Sequence, residues 1–290
     1  MTHGRRGAAA LRGIGATSLA VAALRAMEHE RSDRLFQDPY AQCFLDAAGH
    51  GWTTSPAAPA GGMSLVELMA GQVAVRTRFF DEVLLDAAGD VCVQVVLLAS
   101  GMDTRPYRLD WPSDTRLFEI DFGAVFAFKR DALVGSGAVS RCPHMEVAAD
   151  LREDWPKVLR EAGFQVDVPT IWLAEGILYA LPADAADLLL ARITELSAPG
   201  SELAADHAED SPLLREARAA ISDELVRLWR GGPAGDLGTW FGEHGWEPFI
   251  RDIRTLSRSY KRPVPPAFEP ERDGTGRGWL ITARLRDESA

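Results

Sequence analysis

The chain has 290 residues, 47% of them hydrophobic and 25% charged, enough for one large α/β core or two small ones. Its net charge of −11, from 42 acidic against 31 basic residues, opposes the phosphate neutralisation that nucleic-acid binding needs. The three scattered cysteines form neither a disulfide framework nor a CxxC zinc site, and no apolar run reaches the length of a membrane span or an export signal. No metal, nucleic acid or membrane is therefore expected, and a reducing cytoplasm is the expected compartment.

Thr17–Glu30 (TSLAVAALRAMEHE) carries apolar residues at helical spacing behind a capping hydroxyl, which predicts a helix. Pro39 disfavours helical geometry at Asp38 but suits a first turn, so Asp38 is expected to cap a second helix. His50–Gly62 is rich in Gly, Pro, Ser and Thr and reads as a flexible loop. Met63–Ala88 is again helical, with Val73, Phe80, Val83 and Leu84 as its buried stripe. Residues 1–88 thus read as an N-terminal helical layer or lid, and 89–290 as an α/β core with a helical lid insertion at about 208–240.

Strand-length apolar runs follow at Val93–Ala99, Arg116–Asp121, Glu146–Ala149 and Thr170–Ala174, separated by helix-like stretches. This alternation predicts a parallel sheet with helical crossovers. Later strands are expected at Glu202–Asp206 and Trp279–Leu285, with the Pro-rich Lys261–Pro270 as a surface connection between them.

In an open parallel sheet, ligands bind beyond the carboxyl ends of the strands. The first strand ends at Ala99-Ser100-Gly101-Met102-Asp103, where small residues let a ligand approach the backbone. About 20 residues on, Glu119 and Asp121 share one strand face, and either can accept hydrogen bonds from ribose hydroxyls of an adenosine cofactor. The third strand ends at Asp150-Leu151, an acid for an adenine amino group beside an apolar cover, and the fourth runs into Glu175. Carboxylates gathered at one sheet edge with no ligand would be costly through desolvation and repulsion.

Several segments together resemble the leucine carboxyl methyltransferase family: Arg76–Asp81 (RTRFFD), Gln94–Arg105 (QVVLLASGMDTR), Phe118–Asp121 (FEID) and Ala174–Pro182 (AEGILYALP). Ala22–Ala26, Leu35–Ala41, Ala198–Ser201, Gly245-Trp246 and Tyr260–Pro263 match as well, so the resemblance spans residues 17 to about 263. It implies the Rossmann-like, doubly wound, mostly parallel sheet of class I methyltransferases and S-adenosyl-L-methionine as cofactor, released as S-adenosyl-L-homocysteine. By the resemblance, Arg76 holds the methionine carboxylate, as a charge-assisted guanidinium can. Ala99, Gly101 and Asp103 line the cofactor turn, Asp121 or Glu119 meets the ribose, and Asp150 and Leu151 frame the adenine. Glu175 faces the methionine ammonium or the acceptor pocket. Substituting Arg76 by Ala is expected to weaken cofactor binding severely while leaving the fold intact. The family's Gly-Ala-Gly turn reads Ala99-Ser100-Gly101 here, which alanine tolerates provided it ends the strand at negative φ.

The bacterial branch of the family includes polyketide O-methyltransferases, which implies methylation of a carboxyl or hydroxyl group on a small natural product. A peptide carboxyl terminus is an alternative acceptor. A carboxylate acceptor needs no base; a hydroxyl does, and His207, expected just after the Ala204–Asp206 strand end, is the candidate. Tyr179, Leu225 and Trp229 are candidate walls of the acceptor pocket, with Leu213, Leu214 and Leu228 on the segment Ser211–Gly235 expected over the sheet edge. A nicotinamide-dependent dehydrogenase lacks its GxGxxG here, since Gly123 is the next glycine after Gly101. A non-catalytic cofactor-binding subunit is the remaining alternative. Oligomeric state is not legible in the sequence.

Overall fold

The computed structural model describes residues 14–49 and 62–286. The predicted loop His50–Gly62 falls, but for Gly62, outside the described residues. Three helices come first: α1 (Ile14–His29), α2 (Ala41–Ala48) and α3 (Leu65–Asp90). The last opens on a reciprocal cap, in which Ser64 Oγ accepts from Glu67 N while the Glu67 carboxylate accepts from Ser64 N. Helix α2 starts at Ala41 with Tyr40 in the cap position; Asp38 still satisfies its first N–H groups, accepting from Tyr40 N and Ala41 N, because Arg25 of α1 pins its other oxygen at 2.8 Å.

A seven-stranded sheet follows, built from β1 (Gln94–Leu98), β2 (Arg116–Asp121), β3 (His144–Ala148), β4 (Thr170–Ala174), β5 (Glu202–Ala208), β6 (Trp246–Asp252) and β7 (Gly278–Leu285). Its order is β3-β2-β1-β4-β5-β7-β6, with only β7 reversed. The expected doubly wound, mostly parallel sheet is what forms, and chain order reverses between β1 and β4, which is where such sheets open a ligand crevice.

All five residues of β1 and of β4 are buried, as for central parallel strands covered on both faces. One face carries Val95, Leu97, Leu117, Ile171 and Leu173 against Leu68, Val75, Phe79 and Phe80 of α3. Helix α3 is therefore part of the sheet's own core. The other face carries Val96, Leu98, Phe118, Ile120 and Trp172 against Trp155, Leu159, Leu189 and Leu190. A third cluster joins Leu19 and Ala22 of α1 and Phe44 of α2 to Met102, beside the β1 turn.

Four elements differ from expectation. Strand β3 begins two residues earlier, at His144, and β5 runs on to Ala208 because β7 pairs along its whole length. Strand β6 was not anticipated: its Pro248, Arg251 and Asp252 dilute the apolar alternation, which an edge strand tolerates. The Pro-rich stretch 261–270 is no mere surface connection. Its Ala267 and Phe268 are fully buried, and a Cβ on Gly278 would lie 2.9 Å from the Phe268 ring. Among the described residues, no helix is long and apolar enough to cross a membrane.

Candidate active site

The β1 turn is set by β2. Leu98 is in register with Ile120, and beyond them Ser100 N donates to Ile120 O while Gly101 N donates to Asp121 Oδ2 at 2.7 Å. To make both bonds the chain turns through left-handed conformations at Ala99 (φ +48°) and Gly101 (φ +53°). The expected negative φ at Ala99 is thus overturned. For Gly101 the glycine is required, since a Cβ there would stand 2.8 Å from the Ser18 Cβ of α1. For Ala99 the strain predicts that Ala99→Gly stabilises the protein by about 0.5–1 kcal/mol. Urea denaturation checks this; an unchanged or lower midpoint would contradict a strained turn.

Asp121 accepts from Gly101 N and also from Phe122 N at 2.7 Å, and burial pushes its carboxyl above the usual range despite these bonds. Each oxygen keeps a further lone pair for a ligand hydroxyl. Glu119, left open by the sequence as its alternate, has both oxygens engaged at 0% exposure: Lys129 Nζ lies 2.5 Å from Oε1 and His144 Nε2 2.7 Å from Oε2. Asp121 is therefore the carboxylate that β2 presents at the edge. Asp150, two residues beyond β3, keeps a mostly buried side chain that accepts from the exposed Arg152, and Leu151 packs against the second core face.

Past β4 lies a buried ionic network. Arg76 of α3 sits between two carboxylates: its Nη1 donates to Asp206 Oδ2 at 2.9 Å, and its Nε lies 2.9 Å from Glu175 Oε1 without hydrogen-bond alignment. Arg105, at the start of α4 (Arg105–Arg108), reaches Asp81, Asp103 and Glu175 at 2.8, 2.5 and 2.8 Å, and Arg108 pairs with Asp81. Three guanidinium groups face four carboxylates, which leaves one negative charge in surplus. Burial alone would raise these acids, but Arg105, Lys129 and Arg25 together outweigh it at Asp103, held at about 2, and Arg105 with Arg76 keeps Glu175 below the usual range.

Sequence reasoning gave no role to Asp206, Asp81, Arg105 or Arg108. Asp206 stands one register step beyond the Ala174–Ala205 pair, so it lies at the same edge as Glu175 and also accepts from Gly176 N at 2.6 Å. The signal was present: charges inside apolar segments, Asp81 amid the α3 core stripe and Asp206 within a buried strand.

The acceptor-side residues divide. Tyr179, on the turn after β4, stacks on Trp229 with centroids 4.0 Å apart, and its hydroxyl and Arg76 Nη1 both flank Gly176, while burial pushes the phenol up to about 12. Arg230 N and Gly231 N donate to Tyr179 O, and Gly232 N to Leu181 O, tying this segment to the β4 turn. Leu225 is part-buried on the short helix Asp223–Arg227, with its N–H on Ser222 Oγ. Leu214 is fully buried in the core and serves packing. His207 does not follow the strand; it lies within β5, opposite Trp279 of β7 and parallel to its ring. Strand alternation puts it on the face opposite Asp206. Its Nδ1 is buried without a partner, and burial lowers its pKa, so the ring is neutral at pH 7. A groove of about 520 Å³ between Phe79 and Glu82 of α3 and Phe249 and Arg251 of β6 includes Glu202, the first residue of β5, at the opposite end of the sheet from the site.

Comparisons with known proteins show the family. The leucine carboxyl methyltransferase profile matches residues 18–194. A chain of Parafrankia sp. (strain EAN1pec), whose name is that of an S-adenosyl-L-methionine-dependent methyltransferase, is 45% identical over 94% of this chain and 87% of its own length. A similarly named chain of Streptomyces coelicolor is 41% identical over 94% of this chain and 96% of its own. Among solved structures, a Thermobifida fusca protein titled a methyltransferase superposes with a TM-score of 0.54 at 18% identity, covering 93% of this chain and 94% of its own, which speaks to the fold. The chain belongs to the leucine carboxyl methyltransferase family and is an S-adenosyl-L-methionine-dependent methyltransferase.

Proposed function

We propose that the enzyme methylates a carboxyl or hydroxyl oxygen of a small natural product in the cytoplasm, a setting that suits its free thiols Cys43, Cys92 and Cys142. The observation that carries the cofactor side is the negative surplus of the network of Arg76, Arg105 and Arg108 with Asp81, Asp103, Glu175 and Asp206 at the edge that holds the Gly101 turn. A ligand with a sulfonium, an ammonium and one carboxylate complements it. The residues present fit such a ligand: Ser100 Oγ and Arg76 Nε are buried without hydrogen-bond partners.

Arg76 would hold the cofactor carboxylate through its unaligned Nε edge, and Glu175 and Asp103 the ammonium. Asp121 would accept the ribose hydroxyls, while Asp150 and Leu151 frame the adenine against Ala99 and Gly101. When bound, S-adenosyl-L-methionine supplies an electrophilic methyl group on sulfur. Tyr179 and Trp229 form an aromatic wall that orients an acceptor and excludes water, and orientation of this kind can contribute about 7 kcal/mol or more to lowering a barrier. Helices α1 and α2, with Ser18 of α1 overlying Gly101, and the insertion at about 208–240 would close over this edge as lids. For a hydroxyl acceptor, His207 would take the proton at Nδ1.

Mass spectrometry of a panel of small carboxylic acids and phenols incubated with enzyme and cofactor is expected to show gain of one methyl group. Mild alkali then removes a methyl ester and spares an aryl ether. With a phenolic acceptor, the rate is expected to rise with pH through a value below the ordinary histidine pKa and then level, because burial depresses His207, and His207→Gln is expected to erase that limb. Methyl transfer only to nitrogen would overturn the oxygen assignment.

A further inference from the structure

Arg218, on the helix Pro212–Ala219, is a buried cation, 2% exposed. Its Nη2 bonds Asp210 Oδ1, while its Nε and Nη1 have no hydrogen-bond partner. Its guanidinium lies 4.2 Å over the Trp229 ring, whose Nε1 is likewise buried and unpartnered. The other face of that indole carries Tyr179. Both orphaned groups can only donate, so whatever satisfies them must bring acceptors. Charge points the same way: Asp210 is shared by Arg215, at 2.6 Å, and Arg218, which leaves a positive surplus in a chain whose net charge is −11.

From this we infer that Arg218 and Trp229 Nε1 form a carboxylate-binding subsite for the methyl acceptor, which rests on the acceptor reading of the Tyr179–Trp229 wall. The indole lies between Arg218 and the Tyr179–Arg76 side, so this carboxylate is a recognition handle and not the oxygen presented for methylation. An unpaired, donor-only guanidinium in a dry site discriminates strongly, because a neutral isostere leaves it unsatisfied.

The test is a thermal-shift titration of the whole protein, with and without S-adenosyl-L-methionine, using matched pairs: phenylacetate and phenylacetamide, octanoate and octanamide, 4-hydroxybenzoate and 4-hydroxybenzamide. Carboxylates are expected to bind about tenfold or more tighter than their amides. Arg218→Met is expected to erase that difference while leaving calorimetric cofactor affinity unchanged; where it does not fold, Arg218→Lys should reduce the difference. Equal response to acids and amides in the wild type overturns the subsite, as does a preference that survives in Arg218→Met. Inorganic phosphate matching the carboxylates also overturns it, since that marks a general anion site. Failure to bind S-adenosyl-L-methionine would instead sink the cofactor assignments, leaving the acid-to-amide comparison readable.

Discussion

Arg76→Ala is expected to lose about 3–5 kcal/mol of unfolding free energy, the usual consequence of removing one partner from a buried ion pair. The sequence pointed to a variant with an intact fold and a crippled cofactor site. The structure revises this, because the guanidinium is the neutralising partner of Asp206 at 1% side-chain exposure and of Glu175 at 16%. Without it, Asp206 retains only the Gly176 N–H, whereas Glu175 retains Arg105. The orphaned Asp206 should thus carry most of the loss. Urea denaturation of Arg76→Ala, Asp206→Asn and the double variant tests this. The double variant is expected to recover a clear part of the deficit, and simple additivity would show that the two do not act as a pair. Arg76→Lys keeps a charge but cannot span both carboxylates. It should fold better than Arg76→Ala and still bind S-adenosyl-L-methionine at least about tenfold more weakly than wild type.

Lys129→Met should have a similar effect on stability and a different one on function. Lys129 and Glu119 are both 0% exposed, and their removal from water is tolerable only as a pair. A loss of about 3–5 kcal/mol is expected near neutral pH. Burial works to raise the Glu119 carboxyl, but Lys129 and then His144 outweigh it and hold its pKa below the ordinary value. In the wild type this pair therefore contributes stability above the unfolded glutamate pKa of about 4.3 that disappears as pH falls through the lower folded value. In Lys129→Met the sign reverses. An unneutralised Glu119 is destabilising when charged, so the deficit should shrink as the medium is acidified. Denaturation at neutral and acidic pH reads this directly, and a pH-independent deficit would mean lost packing instead of an orphaned charge. Cofactor affinity of the folded fraction should be unchanged, whereas Asp121→Asn, two residues along the same strand, should weaken it. That contrast separates the two acids that the sequence could not tell apart.

The distinction arises from register and depth. Period-two alternation put Glu119 and Asp121 on one face of β2, and nothing in the linear pattern shows that Lys129, ten residues later on the following helix, reaches back to occupy Glu119. His207 is a similar case. The run Ala204–Asp206 looked like a whole strand, but β7, arriving more than 70 residues later, pairs as far as Ala208 and takes His207 into the sheet.

By itself the sequence determined the doubly wound sheet, because central parallel strands must be apolar on both faces and their crossovers must be helical, so the pattern is local. It also determined the carboxylates at the strand ends and, through combined motifs, the family and its cofactor. Only the tertiary structure decided which charges meet. Arg76 and Asp206 are 130 residues apart, and Arg105 and Glu175 are 70. Ion pairs at such separations have no periodicity to betray them; they exist because the register of β1, β4 and β5 brings those strand ends to one edge and α3 across it. The left-handed turn at Ala99 is of the same kind. Alanine does not favour that conformation, and the hydrogen bonds that impose it come from β2.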